Sequence, residues 1–181
     1  MVSIVMAGLF VRAAHADVDI SGNFKALDLT ASSVPTPYPN GVSGGARLVT
    51  DTTTNTTTAY TRLVVPTSLI GQWGFFHVHL HAGKCPTEGG SVPPHYRNPG
   101  SPTNIQDYPF GPWESELWPY VNCTTGSPNC SRVGNLSIGR GVATAHWIPS
   151  NYSLEELSIV VHYTTGTSLN TSPPGRAWLC A

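Results

Sequence analysis

Charge is what this chain has least of. Asp, Glu, Lys and Arg make up 10% of its 181 residues, where an ordinary soluble protein carries about 25%. Nine cations against ten anions leave a net charge of -1, so the bulk balance implies no polyanionic partner and no nucleic acid. No apolar stretch approaches the roughly 20 residues of a membrane span. No internal repeat appears, and no linker divides the chain. Long helices also lack support, because Thr, Ser, Gly and Pro fill the places that helix formers would take. The remainder describes one domain, long enough for a real hydrophobic core and rich in short strands and turns.

Three features point to an oxidising, extracellular setting. The first sixteen residues read as a cleaved signal peptide: an apolar run from Val2 to Val11 leads to Ala14-His15-Ala16, an A-x-A cleavage pattern. That leaves 17–181 as the mature domain. Four cysteines (Cys85, Cys123, Cys130 and Cys180) form an even set, as expected for two disulfides. Six of the ten Asn lie in N-x-S/T sequons: Asn55, Asn122, Asn129, Asn135, Asn151 and Asn170. The chain is therefore expected to be secreted, with cell-surface or wall attachment left open, as is its oligomeric state.

Strand signals fall near Val18–Leu29, Ala46–Asp51, Ala59–Val65, Gly74–His81, Gly141–Ile148, Leu157–Tyr163 and Ala177–Cys180, each bounded by turn residues. The fold class is all-β. The Thr-rich run 52–58 reads as an exposed hairpin loop. Between His81 and Gly141 lies a long segment rich in Pro, Gly and Asn, of the kind that is functional or stapled down.

The histidines carry the chemistry. Gly74-Phe-Phe-His-Val-His-Leu-His-Ala-Gly83 places His77 and His79 on one face of a strand, about 6–7 Å apart. That spacing lets two imidazoles share one ion at nitrogen distances near ~2 Å. Val78 and Leu80 then face an apolar side. His81 continues the histidine face one repeat further on, where an exposed or supporting role is expected of it. His95 sits in the rigid segment Pro93-Pro94-His95-Tyr96, and His162 ends the apolar run that begins at Leu157. His146 reads as an ordinary surface residue. An all-imidazole set favours Cu(II) or Zn(II) over Mg, Ca or iron–sulfur chemistry.

Phe76-His77-Val78-His79, followed by a Gly and then Cys85, resembles the copper-site strand of the Cu/Zn superoxide dismutase family. Pro94-His95-Tyr96 with Asn98-Pro99 is similar to the segment carrying that family's bridging histidine. Val160-Val161-His162 is similar to the strand bearing its last copper ligand. Cys85 and Cys180 match its intrasubunit disulfide, so the resemblance runs in order over about residues 17–181. It implies a Greek-key β-barrel or sandwich, copper on His77, His79, His95 and His162, and a Cys85–Cys180 bond. Cys123–Cys130, closing a tight loop between sequons, has no counterpart in the family pattern.

The departures narrow the reading. No His occurs between His95 and His146, where the zinc-containing enzymes place further ligands, and Asp107, Glu114 and Glu116 alone make a poor zinc site. This matches the copper-only branch of secreted superoxide dismutases, and zinc is not expected. The activity implied is conversion of superoxide to oxygen and hydrogen peroxide, with His95 handling a proton. Glu114 or Glu116 would orient the far nitrogen of His95, and Arg176 would attract the anion. Arg176 lies four residues before Cys180 where the family's arginine lies three before. That offset, with the Trp113…Trp118-Pro-Tyr120 aromatic insert, sustains the alternative of a copper-binding or structural surface module with little or no turnover.

Overall fold

The protein, a computed structural model, is described over residues 18–27, 41–70, 74–86, 91–100, 115–124, 126–163 and 177–181. The signal peptide expected at 1–16, together with Asp107, Trp113, Glu114, Asn170 and Arg176, lies outside the described residues. Within them the chain forms ten strands: β1 (Asp19–Asn23), β2 (Lys25–Ala26), β3 (Ser43–Asp51), β4 (Thr56–Pro66), β5 (Phe75–His81), β6 (Val121–Asn122), β7 (Cys130–Val133), β8 (Leu136–Ala145), β9 (Ser158–Tyr163) and β10 (Ala177–Cys180). A single helical turn, Thr67–Ile70, and a 3-10 turn, Leu154–Glu156, are the helical pieces described. No helix among the described residues is long and apolar enough to cross a membrane.

The strands form two five-stranded sheets, ordered β1-β3-β4-β8-β7 and β2-β10-β9-β5-β6. Every strand pair is antiparallel. The all-β expectation holds. Alternation gives each sheet an inner face: Ala59, Leu63 and Val65 of β4 and Ala143 and Ala145 of β8 meet Phe76, Val78 and Leu80 of β5 in one apolar core. Removing these side chains from water at about 25 cal/mol per Å² is the main force closing the sheets on each other.

Three departures from the sequence reading have physical causes. Strands β6 and β7 are only two and four residues long, too short for an apolar alternation to announce them. Strand β8 begins at Leu136, earlier than expected, and runs through Gly139 and Gly141. Those glycines are needed: a Cβ at Gly141 would collide with the backbone oxygens of Pro119 and Tyr120, and one at Gly139 with the side chains of Val121 and Cys123. Glycine in a strand here marks close approach of another segment rather than a break. Third, the Thr-rich run is only half loop. Asp51 Oδ1 accepts from the backbone N–H groups of Thr53 (2.7 Å) and Thr54 (3.2 Å), and Asn55 takes a left-handed φ of 53°. From Thr56 the chain is strand, and buried Thr57 donates its hydroxyl to the Trp147 carbonyl at 2.6 Å.

Two disulfides hold the long middle segment. Cys85–Cys180 spans 95 residues and ties the end of the histidine strand's loop to β10, while Cys123–Cys130 closes a seven-residue separation beside β6. The first joins the two cysteines that the family resemblance pairs. Among the sequon asparagines, Asn55, Asn129, Asn135 and Asn151 are exposed and Asn122 is half-buried.

Long-range closure makes Cys85–Cys180 the costlier bond to lose. Replacing both cysteines by Ser should lower unfolding free energy by about 2–5 kcal/mol, read as a shift in denaturant midpoint. A C123S/C130S pair should cost less.

Candidate metal centre

Strand β5 is buried along its whole length. Phe76, Val78 and Leu80 fill the core on one side. On the other, His77, His79 and His81 are covered by two irregular segments that run beside the strand. Their backbones are fixed to β5: Tyr96 N–H donates to the Leu80 carbonyl, Leu80 N–H to the Leu117 carbonyl, and Ala82 N–H to the Pro94 carbonyl, at 2.9–3.1 Å. A bridge sets His95 opposite His81. Tyr96, 2% exposed, anchors that segment by packing on Trp147 and accepting the Ser150 N–H at its hydroxyl, 3.2 Å away.

The outcome is a cluster of four imidazoles, His79, His81, His95 and His162, each offering a ring nitrogen within 4.8 Å of the others. Such a group is able to hold a metal ion. Ring centroids stand 4.2 Å apart for His79–His95, 4.7 Å for His79–His162 and 4.8 Å for His81–His95. His79 Nδ1 faces His95 Nε2 at 2.8 Å, and His162 Nε2 faces His81 Nε2 at 3.3 Å.

The group is displaced by one strand repeat from the set expected on the resemblance. His79, His95 and His162 come together as anticipated, but His81 takes the place given to His77. His81 is 2% exposed, so of the exposed or supporting role expected for it the exposed alternative is corrected, and it lies within the imidazole cluster. The cause is the crossing point of the 91–98 segment. Alternation puts all three histidines of β5 on one face, and only the location of His95 decides which two it meets. His77 stays on the same face, 6.3 Å in ring centroid from His79 and edge-on to Phe75 and Trp118. His146 is exposed, as expected.

Hydrogen bonds set the tautomers around the cluster. His81 Nδ1–H donates to the Pro93 carbonyl at 2.7 Å, which turns its Nε2 lone pair inward. His95 Nδ1–H donates to Glu116 Oε2 at 3.0 Å, with the same effect on its Nε2. Glu116 is 8% exposed and takes two further donors, Arg97 Nε at 2.9 Å and Trp118 Nε1 at 3.0 Å. Burial pushes its pKa up, but the His95 hydrogen bond, the neighbouring cations and the indole N–H outweigh this and hold it below the ordinary carboxylate value. Of the two acids considered for orienting His95, the described one, Glu116, makes that bond. Trp118 also lies over His79, with ring centroids 3.5 Å apart.

One nitrogen is left over. His79 is fully buried, and its Nε2 has no hydrogen-bond partner among the described residues, an expensive omission unless a ligand completes the site. Burial first, then the neighbouring imidazoles, drive the His79 pKa well below 6.5. Burial likewise takes His81 and His77 to about 4. All three are neutral at pH 7, the state a metal needs.

Compared with protein-family models, curated proteins and solved structures, the chain finds no match in any of the three.

Between about pH 4 and 6.5 the unfolded chain binds protons that buried His77 and His81 refuse, so stability of the metal-free protein should fall as pH is lowered through that window. The loss at the acid end is at most on the order of 3 kcal/mol for each of the two, and denaturant titrations at several pH values would reveal a flat profile if this is mistaken. Separately, His81→Ala should lose metal retention outright while His77→Ala keeps most of it, as read by metal content after dialysis. The reverse order would restore His77 to the site. Glu116→Gln should weaken metal affinity by about 10–100-fold.

Proposed function

We propose that the four imidazoles hold copper and that the protein is a secreted, copper-dependent superoxide dismutase working without zinc. The observation that carries this reading is the all-imidazole cluster itself, with tautomers fixed by Pro93 and Glu116 and an unsatisfied nitrogen on His79. Neutral nitrogen donors without thiolate or carboxylate suit copper. The two-sheet architecture is compatible with the Greek-key barrel of that enzyme family. Glu116 supports the zinc-free form, since it takes the far nitrogen of His95 that a second metal ion would otherwise occupy.

His79, His81, His95 and His162 would be the ligands. Bound copper supplies a one-electron couple that takes an electron from one superoxide, giving oxygen, and returns it to a second, giving hydrogen peroxide with two protons. His95 is the residue suited to pass one of those protons, at Nε2. Its side chain is 23% exposed, and Glu116 keeps its ring in one orientation whether Nε2 carries a proton or not. With a net charge of -1, long-range attraction of superoxide is weak, so a local cation must do that task. Arg176 is the candidate. Its offset from Cys180 finds a counterpart in β10, where Ala177 pairs with His162 and Leu179 with Val161, making Trp178 an extra residue in the strand. One inserted residue is the amount by which the Arg176 spacing exceeds the family's.

A specific observation favours the second reading, a copper-binding module without turnover. His79, His81 and His162 are all buried, and only His95 is partly open to solvent.

Metal content and superoxide decay measured on one copper-loaded preparation decide between them. About one copper per chain, no zinc, and decay far above the free ion that disappears in His79→Ala would support the enzyme. Bound copper with decay at the free-ion level selects the binding module, and failure to retain copper removes both. Arg176→Ala should slow decay severalfold and leave copper content unchanged.

A further inference from the structure

The first sheet turns its outer face away from the histidines, and that face has a chemistry of its own. Alternation sends Arg47, Tyr60, Arg62, Arg140 and Val142 outward. The pairing registers arrange them in two rows across three strands: Arg47, Tyr60 and Val142 in one, and Gly45, Arg62 and Arg140 in the next. Together they line a groove of about 820 Å³. None of the described residues that line it is acidic.

Arg62 and Arg140 stand directly opposite each other on neighbouring strands, an arrangement in which like charges repel. Neither has an ion-pair partner among the described residues; the Asp19 carboxylate is engaged by Arg47 through two bonds of 2.6 and 2.7 Å. Gly45, opposite Arg62 on β3, supplies no side chain to shield it. Tyr60 is 40% exposed, with the Arg47 guanidinium 5.6 Å from its ring centre, and Val142 beside it is 59% exposed. A sheet designed only to be solvated would have alternated its charges here. This one concentrates three of the chain's nine cations beside an exposed aromatic.

We propose that this face is a docking groove for an acidic polysaccharide, an extended chain bearing uronate carboxylates. Guanidinium forks match planar carboxylates in pairs of parallel hydrogen bonds, and a bound carboxylate between Arg62 and Arg140 relieves their repulsion. Tyr60 and Val142 offer an apolar platform to the C–H face of a sugar ring. Ser21, Asn23 and Ser43 line the groove with groups that bond sugar hydroxyls. Duplex DNA fits poorly, because it presents a charge every ~1.7 Å and the groove has three cations in a chain of net charge -1. An acidic peptide would satisfy the arginines and leave the hydroxyl-lined wall without a partner.

The probe is polygalacturonate, titrated into the full protein at low and physiological salt beside dextran, polyglutamate and duplex DNA. Binding to polygalacturonate that weakens with salt, exceeds binding to the other three, and falls by about tenfold or more in R62S/R140S supports the groove. A second measurement uses the unaltered protein, where no folding defect can intervene: polygalacturonate should protect Arg62 and Arg140 from an arginine-modifying reagent, and leave Arg132 reactive. Absence of binding at low salt, equal affinity in the double variant, or no protection of the two arginines overturns the proposal. Tighter binding of polyglutamate or DNA also overturns it and reassigns the face to that class.

Discussion

A strand with a histidine at every second position has to keep that face dry if the imidazoles are to act together, and β5 does so at both surfaces. Its inner side chains are already committed to the core, so the strand cannot rotate to relieve crowding on its outer side. Three imidazoles are therefore held in line, neutral, under a cover formed by irregular chain. Each would rather be hydrated. The cover repays part of this by bonding the outward nitrogen of His81 through the Pro93 carbonyl, while Glu116 holds His95, the imidazole that the cover itself brings in. Backbone bonds from Leu80 and Ala82 keep the cover in register. Strand β9 then delivers His162 from the other side, antiparallel to β5.

Glu116 joins the layers of this arrangement. One oxygen accepts from His95 and Trp118 and the other from Arg97. The imidazole, the indole over His79 and an exposed guanidinium thus share one buried anion. Networks of this kind are rigid when complete and costly when broken. A change at exposed Arg97, which is not in the imidazole cluster, acts on His95 through the carboxylate between them.

How much of this was legible in the residues depends on range. The period-2 face of 74–83 is a local property, so the shared face of His77, His79 and His81 and the apolar role of Val78 and Leu80 could be read directly. Which two of the three histidines join His95 is a question of where a segment some fourteen residues later crosses the strand, and no local pattern encodes it. The signal that pointed to His81 was weak: Pro93 and Pro94 remove donors and stiffen the chain beside it. Strand β8 was half hidden for a related reason. Gly139 and Gly141 look like breaks until the chain at 119–123 is laid against them. Net charge is silent for another reason: a sum over 181 residues does not show that Arg47, Arg62 and Arg140 share one outer face. The extra residue of β10, between Ala177 and Leu179, is equally invisible in one dimension, because only pairing with β9 reveals it.

Trp118 has a consequence beyond holding Glu116. Its indole lies 3.5 Å in ring centroid from His79, within the van der Waals layer of the four-imidazole pocket. An open-shell ion held by His79 would lie one ring away from the indole and quench its emission, whereas a closed-shell ion would leave it lit. The fold thus carries its own optical gauge of what occupies the pocket, and of which electron configuration the occupant has.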